Sequence, residues 1–264
     1  MKGLLLPVLV ACVLPVAGCK GGDSADDARF VSDGIELSAA DGTTVFSKLT
    51  KVDDEPRGVI LLFHQAGSNM HEYDPIAPRL GARGYDCLAV DLRAGGDMWD
   101  SVNRTAAQFS DSQGYLDAYQ DLEAALAWAE DEDYELILAW GSSYSASLVL
   151  RLAAENVSVD GVLSFSPGEY FDSEGLVAGW NSEVGVPCLF AATPQELVAG
   201  VYDIHDTHPD TVERNGDIVF GDKDGVHGSS TLHKDRNPGS SEFYWERVER
   251  FLHSIESGGT AFGG

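Results

Sequence analysis

The chain has 264 residues, 43 of them acidic and 17 basic, for a formal net charge of −26 at neutral pH. A surface this acidic repels phosphate backbones and anionic headgroups, which argues against nucleic-acid binding and against adhesion to a membrane by charge. The acidic residues are spread along the chain and form no single block, as on a well-solvated globular body.

The chain opens with Lys2 followed by LLLPVLVACVLPVAGC. An apolar run of roughly 15 residues ending in small side chains has the layout of a signal peptide and is short for a membrane span. Val16-Ala17-Gly18-Cys19 resembles the lipobox of bacterial lipoproteins, which implies a signal peptide over 1–18, lipid on Cys19, and a protein anchored in the bacterial cell envelope facing the periplasm or the exterior. The stretch KGGDSADDARF is polar and glycine-bearing, and 19–30 reads as a flexible tether. The domain is expected over 31–256, with the glycine-rich 257–264 as a disordered tail. A span of about 230 residues suits one domain with a substantial core.

Alternating apolar positions around Asp41-Gly42 predict an antiparallel hairpin. The run VILLFH, a short helix near PIAPRLGARG and the run CLAVD come next, before a long helix with Tyr115, Tyr119, Leu122, Leu126 and Ala129 on one face. Leu136 to Trp140 reads as a buried strand and Ser147 onward as a helix, with GSSYS between them. The runs VLSFS, CLFAA and DIVFG lead to a last helix burying Tyr244, Val248, Phe251, Leu252 and Ile255. Apolar strands separated by helices predict an α/β fold, a mainly parallel sheet with helices on both faces. Cys87 and Cys188 fall inside apolar strands and read as buried free thiols.

In such a sheet reactive groups gather at the carboxyl ends of the strands, and GSSYS sits at such an end. A nucleophile elbow needs small residues two before and two after the nucleophile. Ser142 would have Trp140 and Tyr144 there, and Ser145 lies too far past the strand, so Ser143, between Gly141 and Ser145, is the candidate nucleophile. A serine hydroxyl needs a base, and in this fold the order is nucleophile, acid, histidine. His227, between Val226 and Gly228 on the loop after the last strand, is the candidate base. His205 and His208 in YDIHDTHPD read as a loose surface pair, without a metal; His233 and His253 fall in or near the last helix. The acid is Glu196 in ATPQEL, with Glu169 in SPGEY as the alternative. Backbone N–H groups of Gln65 and Tyr144 are the expected oxyanion donors, and His64 reads as a packing residue.

HQAGSN, DLRAGG, GSSYS, SFSPGEYF and VHGSSTL together resemble the α/β-hydrolase superfamily, within it the dienelactone-hydrolase-like group, over Gly34 to Ile255. The resemblance implies a serine esterase working through Ser143, His227 and Glu196 on a small-molecule ester, with no metal or organic cofactor. Ser145 stands where the group usually has glycine, and dienelactone hydrolases themselves use cysteine as nucleophile. A non-catalytic binding scaffold and an acyltransferase are the competing readings, the second sharing every residue with hydrolysis. Trp99, Phe109, Tyr170, Phe171 and Trp180 are candidates for lining an apolar pocket.

Overall fold

The computed structural model describes residues 31–209, 218–219 and 225–257, so the expected signal segment, Cys19, the tether and nearly all of the tail lie outside the described residues. The hairpin forms as expected. Strands β1 (Val31–Ser38) and β2 (Thr44–Lys51) pair antiparallel. Gly42 turns between them at a φ of 85°, where a side chain would be strained, and Thr43 N–H donates to Asp41 Oδ1 at 3.0 Å.

The remaining strands are β3 (Gly58–Phe63), β4 (Tyr85–Val90), β5 (Ile137–Ser142), β6 (Gly161–Phe165), β7 (Cys188–Ala191) and β8 (Ile218–Val219). The eight strands lie in the order β1-β2-β4-β3-β5-β6-β7-β8. β2 meets β4 antiparallel, and every pairing from β4 onward is parallel. Strands β3, β4 and β5 are buried along their whole length, which explains why they read as continuous apolar runs rather than alternating ones.

Alternation reappears as a division between two cores. On β3, Val59, Leu61 and Phe63 face helices α2 (Tyr119–Asp131) and α3 (Tyr144–Glu155), while Ile60 and Leu62 face α1 (Ala77–Gly81) and α7 (Ser241–Glu256). Each fully buried aliphatic or aromatic side chain of these strands stabilises the fold by about 1.5–3 kcal/mol relative to exposure. α4 (Leu176–Asn181) lies on the first face through Val177. After β7, α5 (Pro194–Glu196) runs through a π-type turn into α6 (Tyr202–His205), kinked at Gly200 with a φ of 139°. Cys87 on β4 and Cys188 on β7 are buried free thiols with β3, β5 and β6 between them.

One expectation fails in an informative way. Tyr115 is not on the long helix: α2 starts at Tyr119, and residues Leu116–Ala118 form a 3₁₀ turn with Tyr115 exposed ahead of it. Asp117 accepts the Gly114 N–H at 2.9 Å, which closes a local turn in place of a helical one. Helix α3 begins earlier than expected, directly after Ser143.

Candidate active site

Ser143 joins β5 to α3 at a φ of 62° and ψ of −125°. A non-glycine residue in that region costs of order 1–3 kcal/mol, a strain retained only where the surroundings impose it. The turn is held from several sides. Ser143 N–H donates to Phe165 O at 2.8 Å. A Cβ on Gly141 would strike the Ser145 carbonyl and the Ala146 Cα, so only glycine fits two before the tip. Ser145, in the position where glycine is usual, turns its hydroxyl inward: Oγ accepts Ser142 N–H at 2.8 Å and bonds to Phe63 O at 2.8 Å. The extra side chain thus ties the elbow to the end of β3. Ser143 itself is 7% exposed.

Glu196 and His227 are brought together. His227 Nδ1 lies 2.5 Å from Glu196 Oε1. Glu196 is set by a capping box, in which its Oε2 accepts Thr193 N–H at 2.8 Å while its own N–H donates to Thr193 Oγ1 at 3.3 Å. Burial works to raise the Glu196 pKa, but the hydrogen bonds from His227, Thr193 and Ser166 outweigh it and hold the carboxyl below its ordinary value. Glu169, the alternative acid, faces elsewhere: its two oxygens accept Val177 N–H at 3.0 Å and Ala178 N–H at 2.9 Å, capping α4.

Ser143 and His227 form no direct hydrogen bond. The loop bearing His227 is nonetheless bonded to the elbow, because Ser229 N–H donates to Ser142 Oγ at 2.9 Å. Catalytic hydrogen bonds are commonly long in unliganded enzymes and shorten only with substrate. Sequence reasoning missed a second tie. Ser166, at a φ of 56° past the end of β6, donates through Oγ to Glu196 Oε2 at 2.8 Å and accepts Gly228 N–H at 2.9 Å.

The expected oxyanion donor Gln65 requires correction. Its N–H is engaged, donating to Glu72 Oε2 at 3.0 Å. Glu72 is completely buried, and its Oε1 accepts the Ser142 hydroxyl at 2.8 Å. Burial raises its pKa against the hydrogen bonds from Gln65 and Ser142 that favour the anion. The next residue, Ala66, is half-buried, and its N–H takes no partner among the described residues. Tyr144 is the first residue of α3, where a helix leaves its N–H outside its own ladder. Nothing in the sequence pointed to Glu72, which lies seven residues beyond Gln65 in a 3₁₀ turn.

His64 is a packing residue, as expected. It is fully buried, its Nδ1 donates to Gln65 O at 2.8 Å, and its Nε2 accepts Leu92 N–H at 2.8 Å. His205 and His208 pack edge-on against Phe190, and His233 Nε2 donates to Glu72 O at 2.8 Å. Among the described residues no group of three metal-ligating side chains comes together. Of the aromatic residues expected around a pocket, Tyr170 and Phe171 line a cleft of about 470 Å³ with Tyr115 and Leu116. Trp180 backs Phe171, Phe109 lies under the Arg93 guanidinium, and Trp99 N–H donates to Ser68 Oγ.

No protein-family profile matches the chain, and no curated protein matches it. Solved structures do. An esterase from Pyrococcus furiosus is 19% identical, with a TM-score of 0.66 over 88% of this chain and 94% of that one. A dienelactone hydrolase from Anabaena variabilis is 16% identical, with a TM-score of 0.63 over 85% of this chain and 98% of that one. A thermostable carboxyl esterase from Bacillus coagulans is 13% identical, with a TM-score of 0.64 over 85% and 98%. At these identities the likeness is one of architecture: the chain has the α/β-hydrolase fold, a mostly parallel sheet with an antiparallel N-terminal hairpin.

Proposed function

We propose that the protein is a serine hydrolase of carboxylic esters. The observation that carries this reading is the 2.5 Å contact of His227 Nδ1 with Glu196, on the loop bonded to an elbow whose tip is Ser143 at a φ of 62°. In this reading Nδ1 keeps its proton on the Glu196 side, which leaves Nε2 as the base that takes the Ser143 proton. Ser143 Oγ attacks the ester carbonyl, and the developing oxyanion is met by the N–H of Tyr144 and by that of Ala66, in place of Gln65. One such donor typically lowers the barrier by about 3 kcal/mol. His227 then protonates the leaving alcohol, and water enters by the same route to release the acid. The names of the esterases and the dienelactone hydrolase that share the fold agree with this chemistry.

Labelling of the purified protein with a fluorophosphonate probe tests it. The expected outcome is labelling of the native chain that is lost in both Ser143→Ala and His227→Ala. A folded native protein that takes no label would mean the elbow is only a turn.

We further propose that Cys19 carries lipid and holds this hydrolase in the bacterial cell envelope, a reading supported by Val16-Ala17-Gly18-Cys19 after an apolar run.

A further inference from the structure

The cleft lined by Tyr115, Leu116, Tyr170 and Phe171 stands beside the elbow. Tyr115 stacks on Tyr144, the residue after Ser143, with ring centroids 4.5 Å apart and planes 19° off parallel. The Tyr170 hydroxyl donates to Ser166 O at 2.8 Å and lies beside the Ser143 hydroxyl. From this placement, and resting on the hydrolase reading above, we infer that the cleft is the subsite for a planar aromatic group of the ester substrate, one that carries no negative charge.

The aromatic part of the inference follows from how the rings are held. One face of Tyr115 is occupied by Tyr144, yet the residue is 38% exposed, so ring surface remains open to the cleft. Tyr170 is fixed through its hydroxyl, and Phe171 is held edge-on by Trp180 at 5.4 Å. Rings already fixed in place lose little freedom when a further ring packs on them. Ring pairs add to the value of the buried area alone, so a flat aromatic group is favoured over an aliphatic one of equal size. A volume of about 470 Å³ lies in the usual range of small-molecule sites. Tyr115, Leu116 and Tyr170 are large apolar residues left open together at one place, which marks a binding surface more than scattered exposure would.

The charge part follows from what surrounds the cleft. No lysine or arginine lines it among the described residues, whereas Asp172 does. Asp117 stands behind the lining, its carboxylate accepting the N–H of Gly114. Two arginines of the adjoining helices and loops are already paired, Arg151 with Glu155 and Arg93 with Asp41 and Asp121. A carboxylate entering here would lose water beside an acidic wall and gain no counter-ion.

The test uses the purified full chain and two ester series chosen so that leaving-group chemistry is matched within each: benzyl against cyclohexylmethyl acetate, and methyl phenylacetate against methyl cyclohexylacetate. In the series whose ring occupies the cleft, kcat/KM for the aromatic ester is expected to exceed that for its saturated partner by about fivefold. Adding a 4-carboxylate to that aromatic ester is expected to lower kcat/KM by at least about tenfold. Tyr115→Leu should bring the aromatic ratio toward one, and Asp172→Lys should recover part of the carboxylate loss. Each readout is a ratio within one preparation, so a smaller folded fraction does not alter it. Equal rates for aromatic and saturated esters in both series, or a carboxylated ester cleaved as fast as its parent, would overturn the inference and leave the hydrolase reading standing. No cleavage of any of these esters together with no fluorophosphonate labelling would overturn both.

Discussion

His64 shows how a single buried residue sets a condition on the whole fold. Its ring has no exposed surface and works as a neutral imidazole, donating from Nδ1 to Gln65 O and accepting Leu92 N–H at Nε2. Burial pushes its pKa down to about 4. The unfolded chain takes up a proton on this residue near pH 6.5, which the folded chain refuses until near pH 4. Stability is therefore full above about pH 6.5, falls as the pH drops, and has lost roughly 3 kcal/mol from this residue once the pH is below about 4. Glu72 and Asp91, whose pKa values burial raises, act in the opposite direction, so the effect is isolated by difference. Urea unfolding between pH 8 and pH 4 should show His64→Asn losing less stability on acidification than the native chain. Parallel curves would mean that His64 is not held neutral.

At the scale of elements, the site is an agreement among loops, and Glu72 is where they meet. Its carboxyl accepts from the loop after β3 through Gln65 N–H, and from the elbow through the Ser142 hydroxyl. Ser142 Oγ in turn accepts Ser229 N–H from the histidine loop. Removing this acceptor leaves buried donors unpaired, at about 1–3 kcal/mol each. Glu72→Ala is thus expected to lower kcat about a hundredfold, with a reduced melting temperature, while Glu72→Gln, which keeps an acceptor in place, loses about tenfold or less. KM should change little in either, because Glu72 touches no part of the cleft. Full activity in Glu72→Ala would show that the three loops find their positions without it. Such ties are also what the sequence does not display. The strands, the hairpin and the last helix were legible because each is a local pattern of apolar residues with a period. The elbow was legible because sterics exclude Ser142. Glu72 and Ser142 are 70 positions apart, and Ser166 and Glu196 are 30 apart, with no period or motif joining either pair. Tyr115 was misplaced for a related reason. Its spacing to Tyr119 and Leu122 fits a helical face, but the Asp117 carboxylate and Gly114 close a competing local turn. Gln65 was the expected donor by its place in the loop, and only the fold reveals that a buried carboxylate takes its N–H.

For the whole molecule, the net charge of −26 and the proposed anchor oppose one another. An acidic body is repelled by anionic headgroups, so retention at a membrane has to come from lipid. Cys19→Ser expressed in a bacterial host is expected to incorporate no radiolabelled palmitate and to move from the membrane to the soluble fraction, at low salt and high salt alike. Palmitate incorporation that persists in the variant would place the modification elsewhere. The order of the sheet has a different consequence. The carboxylate facing His227 stands after β7, and the loop after β6 supports it from one end only, through the Ser166 hydroxyl. Glu169 of that loop caps a helix, and the neighbouring Tyr170 and Phe171 are given over to the cleft. In the proposed reading, Ser143, Glu196 and His227 and most of the residues lining the cleft are carried on separate segments. On that reading, inheritance can vary Phe171, Asp172 and the Gln113–Leu116 stretch, and with them the range of esters admitted, without disturbing the contact of His227 with Glu196.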